Sequence, residues 1–425
     1  MIEDSAWIRC INCGETYSLD YRGYVCSKCG DLLEVILNLD ILNINSWSIF
    51  KDRSRGVWRY RELIPVDYNR RVSLNEGGTP LIECKRLNEW VGLEKLYIKF
   101  EGTNPSGSFK DRGMTVAVTK AVELKVKGVI CASTGNTAAS LAAYAARASL
   151  PCITVIPEDA AVGKIFQAIA YGAILVKIKG SFDQALKIVF QVSEELGFYV
   201  LNSVNAWRIE GQKTLGYELA EEIGGECIIS VPVGNCGNIA AIWKGFKELA
   251  ELGLLRNLPR MLGVQAEGAA PFAKLVKEHG EQLNPIDNPR TIASAIRIGR
   301  PVNWKKALKA IRESGGDVEI VSDQEILEAQ TAIARLEGLG VEPASAASIA
   351  GVKKKVEIGE LDKNDTVVCV CTGHILKDPN LQLFKPIALI EVEPDREKIK
   401  HELHEIVNHL SMKNIHITYV KKQSW

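Results

Sequence analysis

The chain has 425 residues, with 52 basic against 52 acidic side chains for a net charge of zero, and 46% of it is hydrophobic. That length buries a large core and suits about two packed domains. The charge balance excludes electrostatic recruitment to nucleic acid or an anionic membrane, and no apolar run reaches the roughly 20 residues that cross a bilayer. The opening Met1-Ile2-Glu3-Asp4 is acidic and lacks the basic and apolar regions of a secretion signal, so a cytoplasmic protein is expected.

Residues 1–39 carry two C-x-x-C pairs, Cys10-Ile11-Asn12-Cys13 and Cys26-Ser27-Lys28-Cys29, with twelve residues between them. Each pair can turn two thiolates onto one ion, and two facing turns predict a tetrahedral four-thiolate zinc site. Gly14 and Gly30 follow the pairs and suit the tight turns of such knuckles. A closed site has no open coordination position, so this zinc ribbon is expected to be structural. Its basic residues Arg9, Arg22 and Lys28 are offset by Glu3, Asp4, Glu15 and Asp20, which favours packing or assembly over nucleic-acid binding. The other seven of the eleven cysteines are scattered, and the odd total argues against a disulfide framework. Cys369 and Cys371 lie two apart on a strand-like run and read as core.

From residue 95 to about 385 one rhythm recurs: an apolar run, a loop, then a helical pattern. Strands are predicted at Lys95–Glu101, Gly128–Thr134, Pro151–Pro157, Ala173–Gly180, Phe198–Asn202, Cys227–Gly234, Met261–Gly268 and Thr366–Gly373. Helices are predicted at about Phe109–Leu124, Asn136–Ala148, Phe182–Glu195, Gly211–Ile223, Asn238–Leu252 and Pro343–Val356. The strands are continuously apolar, which means burial on both faces and a parallel sheet covered by helices. The expected class is α/β with two open doubly wound domains. Residues 386–425 lie outside the rhythm and predict a strand (Ala388–Val392), a helix with the apolar stripe Ile399, Leu403, Ile406, Val407 and Leu410, and a second strand (His416–Val420).

Three motifs stand at the ends of predicted strands. Asn104-Pro105-Ser106-Gly107-Ser108-Phe109-Lys110 opens a helix, where the positive end of the macrodipole disfavours an ammonium and helps poise a nucleophilic amine. Ser133-Thr134-Gly135-Asn136-Thr137 offers helix N-terminal amides and hydroxyls to an anion, although a plain helix cap would look the same. Gly234-Asn235-Cys236-Gly237-Asn238 is a short glycine loop able to wrap a phosphate, without the spacing of a nucleotide-binding loop. A lysine, an anion site and a phosphate cradle at strand C-termini are together what a pyridoxal-phosphate enzyme requires.

With these motifs the sequence resembles the fold type II pyridoxal-phosphate enzymes, the tryptophan synthase β-subunit class, from about Glu76 to Pro379. Within that class it is most similar to the threonine synthases. The supporting segments are Asn75 to Leu81, Asn104 to Gly113, Ser133 to Thr137, Asn202 to Asn205, Arg208 to Thr214, Glu342 to Ala346, and Thr372 to His374 followed by Lys377-Asp378-Pro379. The resemblance implies a large cofactor-binding domain of residues 40–109 and 206–385 and a small mobile domain of residues 110–205. The 1–39 ribbon precedes them and the 386–425 extension follows. It implies that Lys110 carries pyridoxal 5'-phosphate, that Asn136 bonds its 3-hydroxyl and that Gly234, Asn235, Cys236, Gly237 and Asn238 hold its phosphate. Thr372 would face the ring nitrogen. Ser133, Thr134 and Thr137 would hold the substrate carboxylate or nearby phosphate oxygens, and Ser203 and Arg208 the substrate phosphate.

The implied reaction converts O-phospho-L-homoserine and water to L-threonine and phosphate, in a homodimer. A cysteate synthase acting on O-phosphoserine and sulfite is the rival on the same scaffold. A catalytically silent zinc-ribbon binding protein is the rival of another class.

Overall fold

Three antiparallel strands, β1 (Ala6–Cys10), β2 (Thr16–Tyr17) and β3 (Leu33–Leu37), open the computed structural model in the order β2-β1-β3. The structure describes residues 5–157, 162–179, 182–379, 398–401 and 403–404. Along β1 and β3 buried and half-buried side chains alternate, with Ile8 and Cys10 facing inward beside Leu33 and Val35. Gly14 and Gly30 take φ of +75° and +74°, as the expected knuckle turns require.

The chain then contributes β4 (Leu81–Glu83), β5 (Lys95–Phe100), β6 (Gly128–Ala132), β7 (Cys152–Pro157), β8 (Ile174–Ile178), β9 (Phe198–Val200), β10 (Ile228–Pro232), β11 (Arg260–Ala266), β12 (Asp317–Val321) and β13 (Thr366–Cys371). They sort into a six-stranded sheet, β12-β11-β10-β13-β5-β4, and a four-stranded sheet, β8-β7-β6-β9. Every neighbouring pair is parallel except β4 with β5. All residues of β6 and β10 are buried, which is why those runs are apolar without alternation. Cys369 and Cys371 are buried in the core.

Each of the eight predicted strands is present, most of them shortened at one or both ends. The ribbon strands, β4 and β12 had not been anticipated. β4 has three residues, and Asp317 and Glu319 interrupt the apolar run of β12; both are edges of the larger sheet. The predicted helix Gly211–Ile223 is two helices, Ala206–Gln212 and Thr214–Ile223. The first starts early because the side chain of Asn205 accepts a bond from the Trp207 amide at 3.0 Å and caps it. Of the 386–425 extension, residues 398–401 and 403–404 are described; they are helical and exposed, His401 and His404 included. The strands expected at Ala388–Val392 and His416–Val420 lie outside the described residues.

The order β10-β13-β5 places three strand C-termini side by side, and the chain visits the four-stranded sheet between β5 and β10. A crevice at such a reversal of strand order is where open α/β sheets bind ligands. The helices Lys110–Glu123 and Ala206–Gln212 cross closely there, because a Cβ on Gly211 would sit 1.8 Å from the Arg112 carbonyl oxygen. That crossing brings the residues following Lys110 beside the turn that carries Arg208.

Candidate active site

Lys110 is the first residue of its helix, reached from β5 through a braced turn. Asp111 accepts bonds from the Ser106 amide and hydroxyl, both at 2.6 Å, and from the Ser140 hydroxyl at 2.5 Å. The Phe109 amide donates to the Thr372 carbonyl at 2.9 Å, and the His374 amide to the Gly107 carbonyl at 2.9 Å. The lysine turn is thereby laced to the segment leaving β13. Beneath it, fully buried Arg112 donates from Nε and Nη2 to Glu101 at 2.7 Å each, and from Nη1 to Glu218 at 2.7 Å. Bidentate pairing of this kind fixes orientation as well as charge.

Burial pushes the Lys110 ammonium down to about 7, helped by the nearby Arg208 charge and opposed by Glu342. Near neutrality a substantial fraction of it is therefore a free amine, the form that attacks a carbonyl.

Asn136 opens its helix as expected and is buried. Its Nδ2 donates to both oxygens of Glu342, at 3.1 and 3.0 Å. The Thr372 hydroxyl lies 3.1 Å from the Ser345 hydroxyl and donates to Glu342 at 3.4 Å. Burial raises the Glu342 carboxyl above its ordinary range.

The loop after β10 turns on Cys236, whose φ of +64° lets the chain enter the helix Gly237–Glu251. Gly234 is tightly enclosed, since a Cβ would stand 3.1 Å from the Ala295 carbonyl oxygen. Asn303 ties this loop to the next part of the site: its amide donates to the Asn235 carbonyl at 3.1 Å and its side chain to the Ser203 carbonyl at 3.0 Å. Arg208 is 2% exposed, with Nη1 3.4 Å from the Leu201 carbonyl. Burial lowers its guanidinium to about 10.

One cavity is lined by Lys110, Asn136, Ser203, Arg208, Gly234 to Asn238 and Thr372. Ser133, Thr134 and Thr137 do not line it; they are half-buried on the neighbouring turn, where the Ser133 hydroxyl accepts the Gly135 amide at 3.3 Å. Sequence reasoning gave no role to Glu342, Ser345 or Asn303. Glu342 and Ser345 stand in a quoted motif, but nothing in a linear pattern marks Asn303.

Among the described residues, Arg208 Nε and both polar atoms of the Asn238 side chain are buried without a hydrogen-bond partner. Such orphaned groups at a cavity wall suit an anionic, hydrogen-bonding guest. The phosphate and the ring substituents of pyridoxal phosphate fit this set, with a glycine loop for the one and Asn136 and Thr372 for the other.

Away from the cleft, the sulfurs of Cys10, Cys13, Cys26 and Cys29 lie within 4.8 Å of one another. Cys10 faces Cys29 at 3.5 Å, and Cys13 faces Cys26 at 3.5 Å. Four converging thiols are a donor set that a tetrahedral zinc ion would accept. Among the described residues, no helix is long and apolar enough to cross a membrane.

Fold and cleft together are those of an α/β enzyme in which a buried lysine, an asparagine and a glycine loop line one cavity at the strand C-termini. Residues 72–373 match the family model described as pyridoxal-phosphate dependent enzyme. The threonine synthase of Methanosarcina acetivorans is 51% identical over 375 residues, covering 88% of this chain and 92% of that protein. The threonine synthase of Methanocaldococcus jannaschii is 50% identical over 403 residues, covering 94% of this chain and 99% of that protein. The solved structure of the processed form of threonine deaminase isoform 2 from Solanum lycopersicum shares the fold, with a TM-score of 0.62 and 24% identity over 76% of this chain and 92% of that one. The chain belongs to the pyridoxal-phosphate dependent enzymes and, within them, to the threonine synthases.

Proposed function

We propose that this enzyme converts O-phospho-L-homoserine and water to L-threonine and phosphate, with pyridoxal phosphate linked to Lys110. The observation that carries the reading is a buried lysine, held near neutrality, sharing one cavity with a buried arginine whose Nε has no hydrogen-bond partner among the described residues. Asn136, the loop Gly234 to Asn238 and Thr372 would hold the cofactor, which when bound supplies the electron sink for carbon acidity at Cα and Cβ of the amino acid. A hydroxyl at Thr372, in place of a carboxylate, suits elimination and replacement over transamination.

With the cofactor bound, Lys110 would take one proton from Cα and one from Cβ, give the second to Cγ after the phosphate has left and return the first to Cα. Ser203 and Arg208 hold the substrate phosphate, and the planar guanidinium meets two of its oxygens at once. That grip orients the Cγ–O bond that breaks, and the phosphate carries away the bonding electrons. Water then adds as a hydroxyl at Cβ, and its remaining proton goes to the released phosphate. Ser133, Thr134 and Thr137 bind the substrate carboxylate when residues 110–205 close over it as a unit against residues 40–109 and 206–385; closure keeps out all other water. The four cysteines hold a structural zinc, and the enzyme works in the cytoplasm as a homodimer.

The test is a visible absorbance spectrum of the purified protein during titration with O-phosphohomoserine, with threonine and phosphate assayed together. A cofactor band that shifts on titration, with equal release of both products and loss of both in Lys110→Ala, is expected. A band that shifts without threonine release would redirect the search to phosphoserine and sulfite. No band after added pyridoxal phosphate would refute the reading.

A further inference from the structure

The ribbon, residues 5–37, touches the helix that carries Arg208, the helix that follows the glycine loop and the helix that follows Asn303. β3 packs on the helix Ala206–Gln212, which carries Arg208. Lys244, two turns into the helix that begins at the glycine loop, donates to the Val35 carbonyl at 2.6 Å and also pairs with Glu210, two residues beyond Arg208. Lys306 donates to the Leu33 carbonyl at 2.7 Å, and Lys305 pairs with Asp31. Both lysines open the helix Trp304–Glu313 directly after Asn303, whose side chain and amide bond Ser203 and Asn235.

The ribbon also reaches the four-stranded sheet. The Val200 amide, at the end of β9 and three residues before Ser203, donates to the Tyr24 hydroxyl at 2.7 Å. Tyr24 packs against the rings of Tyr199 and Phe190. Arg22 donates to the Leu124 carbonyl at 2.6 Å, at the C-terminal end of the helix that Lys110 begins. A cation there satisfies an orphan carbonyl and the helix dipole.

We propose that the ribbon is the positioning element of the substrate-phosphate site: Tyr24, Lys244 and Lys306 fasten β9 and two helices to it, and so fix Ser203 and Arg208 relative to the glycine loop. This rests on the assignment of Ser203 and Arg208 to the substrate phosphate. Alternative roles of the ribbon, in assembly or folding alone, require no link to these two side chains. A positioning role requires one, because a planar guanidinium loses its two-oxygen match when its helix tilts.

The test uses full-length holoenzyme with Tyr24→Phe and Lys306→Met, which each remove one tether and keep the packing volume. Inorganic phosphate is the probe, measured as a competitor of O-phosphohomoserine, beside KM, kcat and the cofactor absorbance. Each variant is expected to weaken phosphate inhibition and raise KM by about fivefold, the loss of one ordinary hydrogen bond. The expected kcat per bound cofactor stays within about twofold of wild type, the double variant being weaker in phosphate affinity than either single one. Unchanged phosphate affinity and KM in both variants overturn the proposal, as does an equal fall in kcat, which a general loss of folded enzyme would give. Arg208→Gln is the control. If it too leaves phosphate affinity intact, the assignment of the phosphate site is wrong, and the positioning role falls with it for that separate reason.

Discussion

At the scale of single residues, Arg208 and Lys110 carry different free energies. Arg208 is a buried cation whose Nη1 reaches the Leu201 carbonyl and whose Nε has no partner among the described residues, so that face of the guanidinium is open to a guest. Arg208→Gln is expected to raise KM for the phosphorylated substrate about 10- to 100-fold, the worth of a hydrogen bond to a charged group, with steady-state kinetics as the measurement. Lys110 affects stability. Its folded-state amine is held at about 7, whereas in the unfolded chain it keeps its proton up to the ordinary lysine value of 10.5. Between those limits the unfolded state binds more protons, so cofactor-free enzyme should gain stability as pH rises from 7 toward 10. Lys110→Met should melt higher than wild type at pH 7, with the gap closing by pH 10; a constant gap in thermal melts would contradict the buried amine. The positions of Lys110 and Asn136 at helix starts were readable from sequence because each follows an apolar strand and a short polar, glycine-containing turn. Asn303 was not, since it acts on Ser203, one hundred residues away, and only the folded chain brings the two together.

Among elements, the helix crossing at Gly211 is the tightest link between the lysine helix and the arginine turn. A Cβ on Gly211 would overlap the Arg112 carbonyl, and one on Gly113 would come within 2.9 Å of the Arg208 carbonyl. Backbone cannot yield as a flexible side chain can. Gly211→Ala should cost about 1–3 kcal/mol from overpacking, read by denaturant unfolding, and should raise KM by moving Arg208. Beside the crossing, Glu218 is held down to about 2 by Arg112 and Lys99 despite its burial. A depressed carboxyl stabilises the fold above its ordinary pKa and loses that contribution as pH falls from about 4.5 toward 2. Glu218→Gln should therefore lower stability at pH 7, by about 3–5 kcal/mol if the two cations stay buried, and the deficit should shrink in acid unfolding below pH 4. Buried parallel strands were legible as continuous apolar runs, whereas β4 was too short and β12 too interrupted by acids to register. The glycine crossing left no such mark: a glycine in a helical pattern reads as a mild defect until the opposing backbone is seen.

In the whole molecule, a small antiparallel ribbon leans on two largely parallel sheets. Its own core is a handful of side chains, including Ile8, Leu33 and Val35, continuous with the cluster beneath the larger sheet. A unit this small depends on what it docks against and, on the function proposed above, on zinc at its four thiols. Zinc analysis should find about one ion per chain, and removal by a chelator should admit protease first within residues 5–37 while the α/β core resists. Simultaneous cleavage throughout the chain would mean that the ribbon holds the entire fold. The two C-x-x-C pairs announced the ribbon plainly. Where it docks was hidden, because the lysines that receive it are scattered among 52 basic residues with no pattern to single them out.

The acceptors on the ribbon are main-chain oxygens, those of Leu33 and Val35. No exchange of side chain at either position deletes a carbonyl. Residues 33 and 35 are thus free to drift among apolar types in related sequences, while Lys244 and Lys306 are not. Adding or losing a single residue between Cys29 and Leu33 would be a graver event than most substitutions, since it turns every carbonyl of β3 to the wrong side while leaving all four cysteines in place.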